Sequence, residues 1–310
     1  MSGPVTTSDA PVEGEAAPPA APELEITASR ETEVGAFRVR RALPHRPRRT
    51  VGAWCFVDHM GPAQVTAAHG IDIGPHPHIG LQTVTWLLDG EVLHRDSLGS
   101  EQVIRPGQLN LMTAGRGVSH AEEATGRYEG ALHGVQLWVA QPSSTRDGAP
   151  AFEHHAELPK VDLGAGAATV LVGDLDGTSS PARRDSRHVG VDLDLRAGSA
   201  DVPLDPGFEH ALVAFDGELT VDGQPIAPGR LAYLGSGRAE VGLSTVAPTR
   251  ALLIGGEPFE ERVLMWWNFV ARTRDEISRA RDDWMAGHER FGTVASPLDR
   301  IDVGEPPWTS

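Results

Sequence analysis

The chain has one cysteine, Cys55, so it cannot close a disulfide within itself. Cys55 lies in the apolar run Ala53-Trp54-Cys55-Phe56-Val57 and reads as a small buried hydrophobe rather than a nucleophile. No stretch is apolar for long enough to span a bilayer. The N-terminus lacks the basic-then-apolar pattern of a secretory leader. No membrane partner and a reducing, cytoplasmic location are therefore expected. Positive charge is also scarce: 27 basic residues stand against 43 acidic ones, for a formal net charge of −16. Such a chain repels phosphate backbones, which excludes sequence-independent nucleic-acid binding. One local exception, Arg38 to Arg49, has six arginines in twelve residues and reads as a solvated strand pair rather than a nucleic-acid patch. Helical patterning is sparse as well.

Turns are abundant, with 35 Gly and 24 Pro in 310 residues. That length allows two ordinary domains, and the turn density points to short strands, hence an all-β architecture. Residues 1–30 are rich in Ala, Pro, Glu, Ser and Thr and read as a disordered acidic tail. Beyond it, Thr83-Val84-Thr85-Trp86-Leu87-Leu88 reads as a strand ending in the hairpin signal Asp89-Gly90. Pro106-Gly107 marks a second turn, and Val135 to Val139 alternates as a closing strand.

These markers recur in order. Phe215-Asp216-Gly217-Glu218-Leu219 echoes Leu88-Asp89-Gly90-Glu91-Val92, and Ala227-Pro228-Gly229-Arg230-Leu231 echoes Arg105-Pro106-Gly107-Gln108-Leu109. An ordered pair of turns implies two copies of one barrel unit, joined near Gln141 to Pro159. The expected division is 31–150 for the first barrel and 151–290 for the second with its C-terminal helix, then an extended arm over 291–310. The helix is announced by Thr273-Arg274-Asp275-Glu276, which has the form of a capping box. Ile277, Ala280, Arg281 and Trp284 follow at helical spacing, and Gly287 is the expected stop.

Seven of the 13 histidines lie between His59 and His133. In a strand, residues two apart share a face, so His76-Pro77-His78 projects both imidazoles to one side. His120-Ala121-Glu122 presents an imidazole and a carboxylate in the same way. Together the pairs offer three nitrogen donors and one oxygen donor, which suits a divalent transition metal with open positions. Donor identity alone does not separate Fe from Mn, Co, Ni, Cu or Zn. His59, His94 and His133 are candidates to support the ligands from behind, with Gln136 in the same network. Glu123 is expected to face the opposite side of its strand and to be solvated.

The blocks Asp58-His59-Met60-Gly61-Pro62, Pro75-His76-Pro77-His78-Ile79-Gly80, His94-Arg95-Asp96-Ser97-Leu98-Gly99 and Met112 through Glu122 closely resemble the pirin family. The likeness continues through His133 to Val139 and more weakly to Gly255-Gly256-Glu257-Pro258. It implies two cupin domains in tandem, with one iron-type metal in the N-terminal barrel on His76, His78, His120 and Glu122. A general cupin often carries a glutamate ligand where this chain has Gln82, so its carboxylate comes from Glu122. In the second barrel, Gly207-Phe208-Glu209-His210 stands where a histidine pair is expected, and a metal-free barrel follows. The resemblance implies two functions. One is a quercetin 2,3-dioxygenase-like enzyme acting on a flavonol-like aromatic with O2, in which Glu122 takes the hydroxyl proton. The other is a redox-responsive regulator of a transcription factor or metabolic enzyme.

Overall fold

The computed structural model describes residues 24–34, 37–46, 48–67 and 69–308. The strands form two barrels, each built from a seven-stranded and a four-stranded antiparallel sheet. In the first barrel the large sheet runs in the order Ala151–His155, Leu109–Thr113, Leu81–Asp89, Gly130–Ala140, Trp54–Val65, Phe37–Leu43, Arg30–Val34. Its small sheet runs Ile73–His78, Val118–Glu123, Val92–Asp96, Glu101–Ile104. The second barrel repeats the plan. Its large sheet is Glu25–Ala28, Arg230–Gly235, Glu209–Asp216, Thr249–Gly256, His188–Leu195, Gly166–Val172, Lys160–Asp162. Its small sheet is Gly198–Pro203, Glu240–Thr245, Leu219–Val221, Gln224–Ile226.

The recurring turns occupy equivalent places in both plans. Asp89-Gly90 and Asp216-Gly217 each end a central strand of a large sheet, and Gly90 and Gly217 hold φ of +96° and +72°. Positive φ is strained for residues with a Cβ, which is why these turns are written with glycine.

The large sheets pack on each other. Val84, Val135 and Leu137 of the first meet Ala211, Val213 and Leu252 of the second in one buried cluster. Trp54, fully buried at this junction, donates its indole N–H toward two carbonyls of the other barrel, Val189 at 3.0 Å and Gly255 at 3.2 Å. A second cluster, with Val191, Leu212, Leu219 and Leu253, fills the second barrel.

Three expectations need correction here. Most of the expected tail lies outside the described residues, but Glu25–Ala28 is a strand on the edge of the second barrel's large sheet, paired with Arg230–Gly235. Arg48 secures it from the other half, 2.7 Å from Glu25 and stacked on Tyr233. The arginine run is thus more than a solvated face: Arg41 pairs with the buried Asp58 at 2.6 Å, and Arg40 donates to Gly61 O. The strand equivalent to the histidine pair is also not Gly207–His210. It is Gly198–Pro203, with Ala200 and Val202 turned inward.

The helix spans Arg274–Met285 and buries Ile277, Ala280 and Trp284. Thr273 caps it by accepting from Glu276 N at 3.2 Å, while Glu276 Oε2 reaches back to Arg272 N rather than to the cap residue itself. Past a short turn at Glu289–Phe291, residues 292–308 have no regular structure, yet they pack against the first barrel. Ile301 N donates to Pro75 O, and Asp299 O lies so close to Gly74 that a Cβ there would stand 2.1 Å from it. Among the described residues no helix is long and apolar enough to cross a membrane.

Candidate metal centre

Ile73–His78 is the edge strand of the first small sheet, the one place in a sheet where its prolines cost no ladder hydrogen bond. Such an edge is open to unwanted pairing unless covered. Here the C-terminal arm covers it at Pro75, and a hairpin from Leu264–Trp266 to Phe269–Ala271 covers its end, with Val270 N donating to Ile79 O at 3.1 Å. On the other side it pairs with Val118–Glu123, where His120 stands directly opposite His76. Between His120 and Glu122 the register slips, so that Glu122 faces Ile73. The bulge re-aims the carboxylate relative to the histidine two residues before it.

The local two-residue spacing and this register together bring the side chains of His76, His78 and His120 into one group. All three are buried, and one ring nitrogen from each lies within 4.8 Å of the others. Glu122 is buried and lines the same cavity without joining that group.

The hydrogen bonds around the rings determine which nitrogens are free. His76 Nδ1 is 2.9 Å from Gly74 O, and His78 Nδ1 is 3.1 Å from Asn268 O. A carbonyl only accepts, so both Nδ1 atoms carry the proton and both Nε2 atoms keep a lone pair. His120 is held from behind by His94, with Nδ1 to Nδ1 at 3.4 Å, and His94 Nε2 lies 3.2 Å from Asp96 Oδ2. The carboxylate fixes the proton on His94 Nε2. That leaves His94 Nδ1 to accept from His120 Nδ1 and frees His120 Nε2. The result is that His78 Nε2 and His120 Nε2 face each other at 3.0 Å, each with a lone pair. Two facing lone pairs repel unless a cation lies against both.

A proton is a poor candidate for that cation. Burial, with the neighbouring imidazoles, pulls His78 and His120 well below the ordinary histidine value, and burial brings His76 down to about 4. Three neutral imidazoles with free Nε2 atoms are the donor set that a divalent metal ion takes. Glu122 is pushed up to about 7 by burial, so its carboxyl titrates near neutrality.

The cavity over this group measures about 400 Å3. Along one wall Phe56 and Trp138 stack with centroids 4.0 Å apart, and His78 meets Trp138 edge-on at 5.3 Å. Arg41 lies 4.4 Å over the Phe56 ring and pairs with Asp58, forming a polar end. Trp267, Asn268 and Ile301 complete the lining from segments distant in sequence. Trp267 holds φ of +52°, an uncommon conformation for a bulky residue.

Of the supporting residues expected from the sequence, only His94 touches the histidine group. His59 and His133 pair with each other, Nε2 to Nε2 at 2.7 Å, beside Phe215 of the second barrel. Gln136 lines the cavity but bonds Thr85 rather than a histidine. Glu123 is not solvated: it is buried, with Arg95 Nε at 3.7 Å. Cys55 is fully buried and its thiol is pushed up to about 12, in keeping with an inert core residue.

The Pirin family model matches residues 36–139, and the model described as the Pirin C-terminal cupin domain matches residues 190–292. The chain belongs to the pirin family. A Pseudomonas aeruginosa protein named "Putative quercetin 2,3-dioxygenase" is 46% identical over 288 residues, 92% of this chain and 91% of that protein. A Caulobacter vibrioides "Pirin-like protein" is 38% identical over 285 residues, 89% and 96% of the two chains. A crystal structure of a quercetin 2,3-dioxygenase from Acinetobacter baumannii superposes with a TM-score of 0.89 at 44% identity, covering 92% of this pirin and 96% of that chain. The two barrels are accordingly the tandem cupin domains of a pirin.

Proposed function

We propose that this pirin holds one divalent transition metal, iron(II) expected, on Nε2 of His76, His78 and His120 with the Glu122 carboxylate as fourth donor. We infer that it oxidises a planar, flavonol-like substrate with O2, as a quercetin 2,3-dioxygenase does. The observation that carries the metal assignment is the pair of lone pairs facing each other at 3.0 Å on two imidazoles that resist protonation. The names borne by its bacterial relatives support the substrate class.

When bound, the metal supplies Lewis acidity toward a hydroxylated substrate and one-electron chemistry toward O2. The protein's own residues divide the remaining work. The stacked Phe56 and Trp138 give a flat wall against which an aromatic ring can lie. The Arg41–Asp58 pair offers donors and an acceptor to the substrate's polar rim. Trp267 and Ile301 cover the cavity and limit water. Glu122, the carboxylate of the donor set, takes a hydroxyl proton as the substrate binds.

The test is consumption of quercetin and O2 by the iron-loaded protein and by Glu122→Gln. Removing a general base costs about 10²–10⁴-fold in rate. A fall of that size with metal still bound supports the reading. An iron-loaded wild type that consumes no flavonol contradicts it.

A further inference from the structure

A second cavity, of about 300 Å3, shares no lining residue with the first. Four arginines line it: Arg116, Arg146, Arg279 and Arg290, against the two carboxylates of Asp147 and Glu276. A chain of net charge −16 thus builds a concave site whose lining carries two more arginines than carboxylates.

Two of the four are committed. Arg146 lies 2.8 Å from Glu276, and Arg290 lies 3.0 Å from Asp283 and covers the ring of Phe291. Even so, Arg290 Nε is buried without a hydrogen-bond partner. Burial pulls the Arg290 guanidinium below its ordinary value, and the nearby Arg279 charge adds to this against the pull of Asp283. The guanidiniums of Arg116 and Arg279 have no ion pair or side-chain hydrogen bond among the described residues. Like charges gathered at a concave surface repel, and the repulsion is relieved by a bound anion.

Arg116 is also held in place before any ligand arrives. It occupies a turn whose backbone is fastened at three successive residues. Gly115 N donates to Gln141 Oε1 at 2.8 Å, Arg116 N to Gly148 O at 3.0 Å and Gly117 N to Ala114 O at 3.0 Å. Gly115 has φ of +53°, and a Cβ there would stand 2.3 Å from Gly148 O, so the turn admits only glycine. Arg279 projects from the helix anchored by Ile277 and Ala280. Little backbone freedom is left to lose on binding.

We propose that this cavity binds a small dianion of the phosphate or phosphate-ester class, gripped by Arg116 and Arg279 with Arg146 and Arg290 beside them. Two unpaired guanidiniums match a dianion in charge, and their forked donors match tetrahedral oxygens approached from several directions. The inference does not depend on the metal site.

Inorganic phosphate and pyrophosphate, titrated separately by calorimetry, test it. The comparison uses wild type, Arg116→Ala/Arg279→Ala, and the charge-matched control Arg230→Ala/Arg262→Ala, whose arginines are exposed and outside the cavity. All four side chains are exposed, so the variants should fold as wild type does. The expected result is saturable binding at one site, weakened about tenfold or more in the cavity variant and little changed in the control. Repeating the titration in a His76→Ala/His78→Ala background should leave binding in place. No saturable binding by wild type, equal weakening in both variants, or loss with the histidine substitutions would each overturn the proposal.

Discussion

The two barrels of this pirin share a strand plan and differ in what they put inside it. In the first small sheet, Ile73–His78 and Val118–Glu123 turn His76, His78, His120 and Glu122 toward a cavity. In the second, the equivalent strands bury Ala200, Val202, Val241 and Leu243. Filling those positions with aliphatic side chains lets the second barrel pack as ordinary core. The first keeps four titratable groups out of water, each of which loses hydration that only a partner restores. One scaffold therefore holds a buried histidine cluster in one barrel and an aliphatic core in the other, joined through the face where Trp54 bridges the large sheets.

That division can be broken at its joint. Trp54→Ala removes a fully buried side chain and both cross-barrel bonds, and should cost about 3–5 kcal/mol. Denaturant unfolding followed by separate probes in the two halves should then lose coincidence. A single transition with an unchanged midpoint would show that the barrels do not depend on this contact.

Leu243→Ala opens a hole in the second barrel and should cost about 2–5 kcal/mol, while bound metal stays at the wild-type level. A drop in metal content beyond any unfolded fraction would mean that the second barrel shapes the site directly.

His188, buried and edge-on to Trp54, is pushed down to about 4 by burial. The folded chain therefore holds fewer protons there than the unfolded chain between that value and ~6.5. Stability should fall as pH drops through this window, by up to ~1.4 kcal/mol per pH unit from this residue. His188→Gln should flatten the slope of midpoint against pH. An unchanged slope would place the acid sensitivity elsewhere.

The smallest effect belongs to Arg48→Ala. The Arg48–Glu25 pair is partly exposed, so its loss should cost at most ~1 kcal/mol, chiefly as faster hydrogen exchange in Glu25–Ala28.

How much of this the sequence disclosed follows from the range of each interaction. The two-residue spacings in His76-Pro77-His78 and His120-Ala121-Glu122 are local, and strand geometry alone puts each pair on a face. The recurrence of Asp-Gly and Pro-Gly turns is also local, and it marked the duplicated barrel. The partners that hold the histidines in place are not local. Asn268 O reaches His78 across 190 residues, and the arm through Ile301 crosses the site strand from the far end of the chain.

Glu123 looked solvated because alternation predicts water on the second face of a strand. In this sheet the outer face is also covered, and every residue of Val118–Glu123 is buried. Glu25–Ala28 carries too short an alternation to stand out from its Ala- and Pro-rich surroundings. Its place on the second barrel is set by pairing with Arg230–Gly235, which no local pattern encodes. The strand matching the histidine pair was misplaced for a related reason: with the two histidines replaced by Ala200 and Val202, only topology reveals the correspondence.

Metal content measured by mass spectrometry tests the central claim most directly, on wild type, on His76→Ala/His78→Ala, and on His210→Ala as a second-barrel control. The account predicts about one transition-metal ion per chain in wild type and in the control, and nearly none in the double variant. A wild type that stays empty after anaerobic iron(II) loading, or a double variant that keeps its metal, would contradict it.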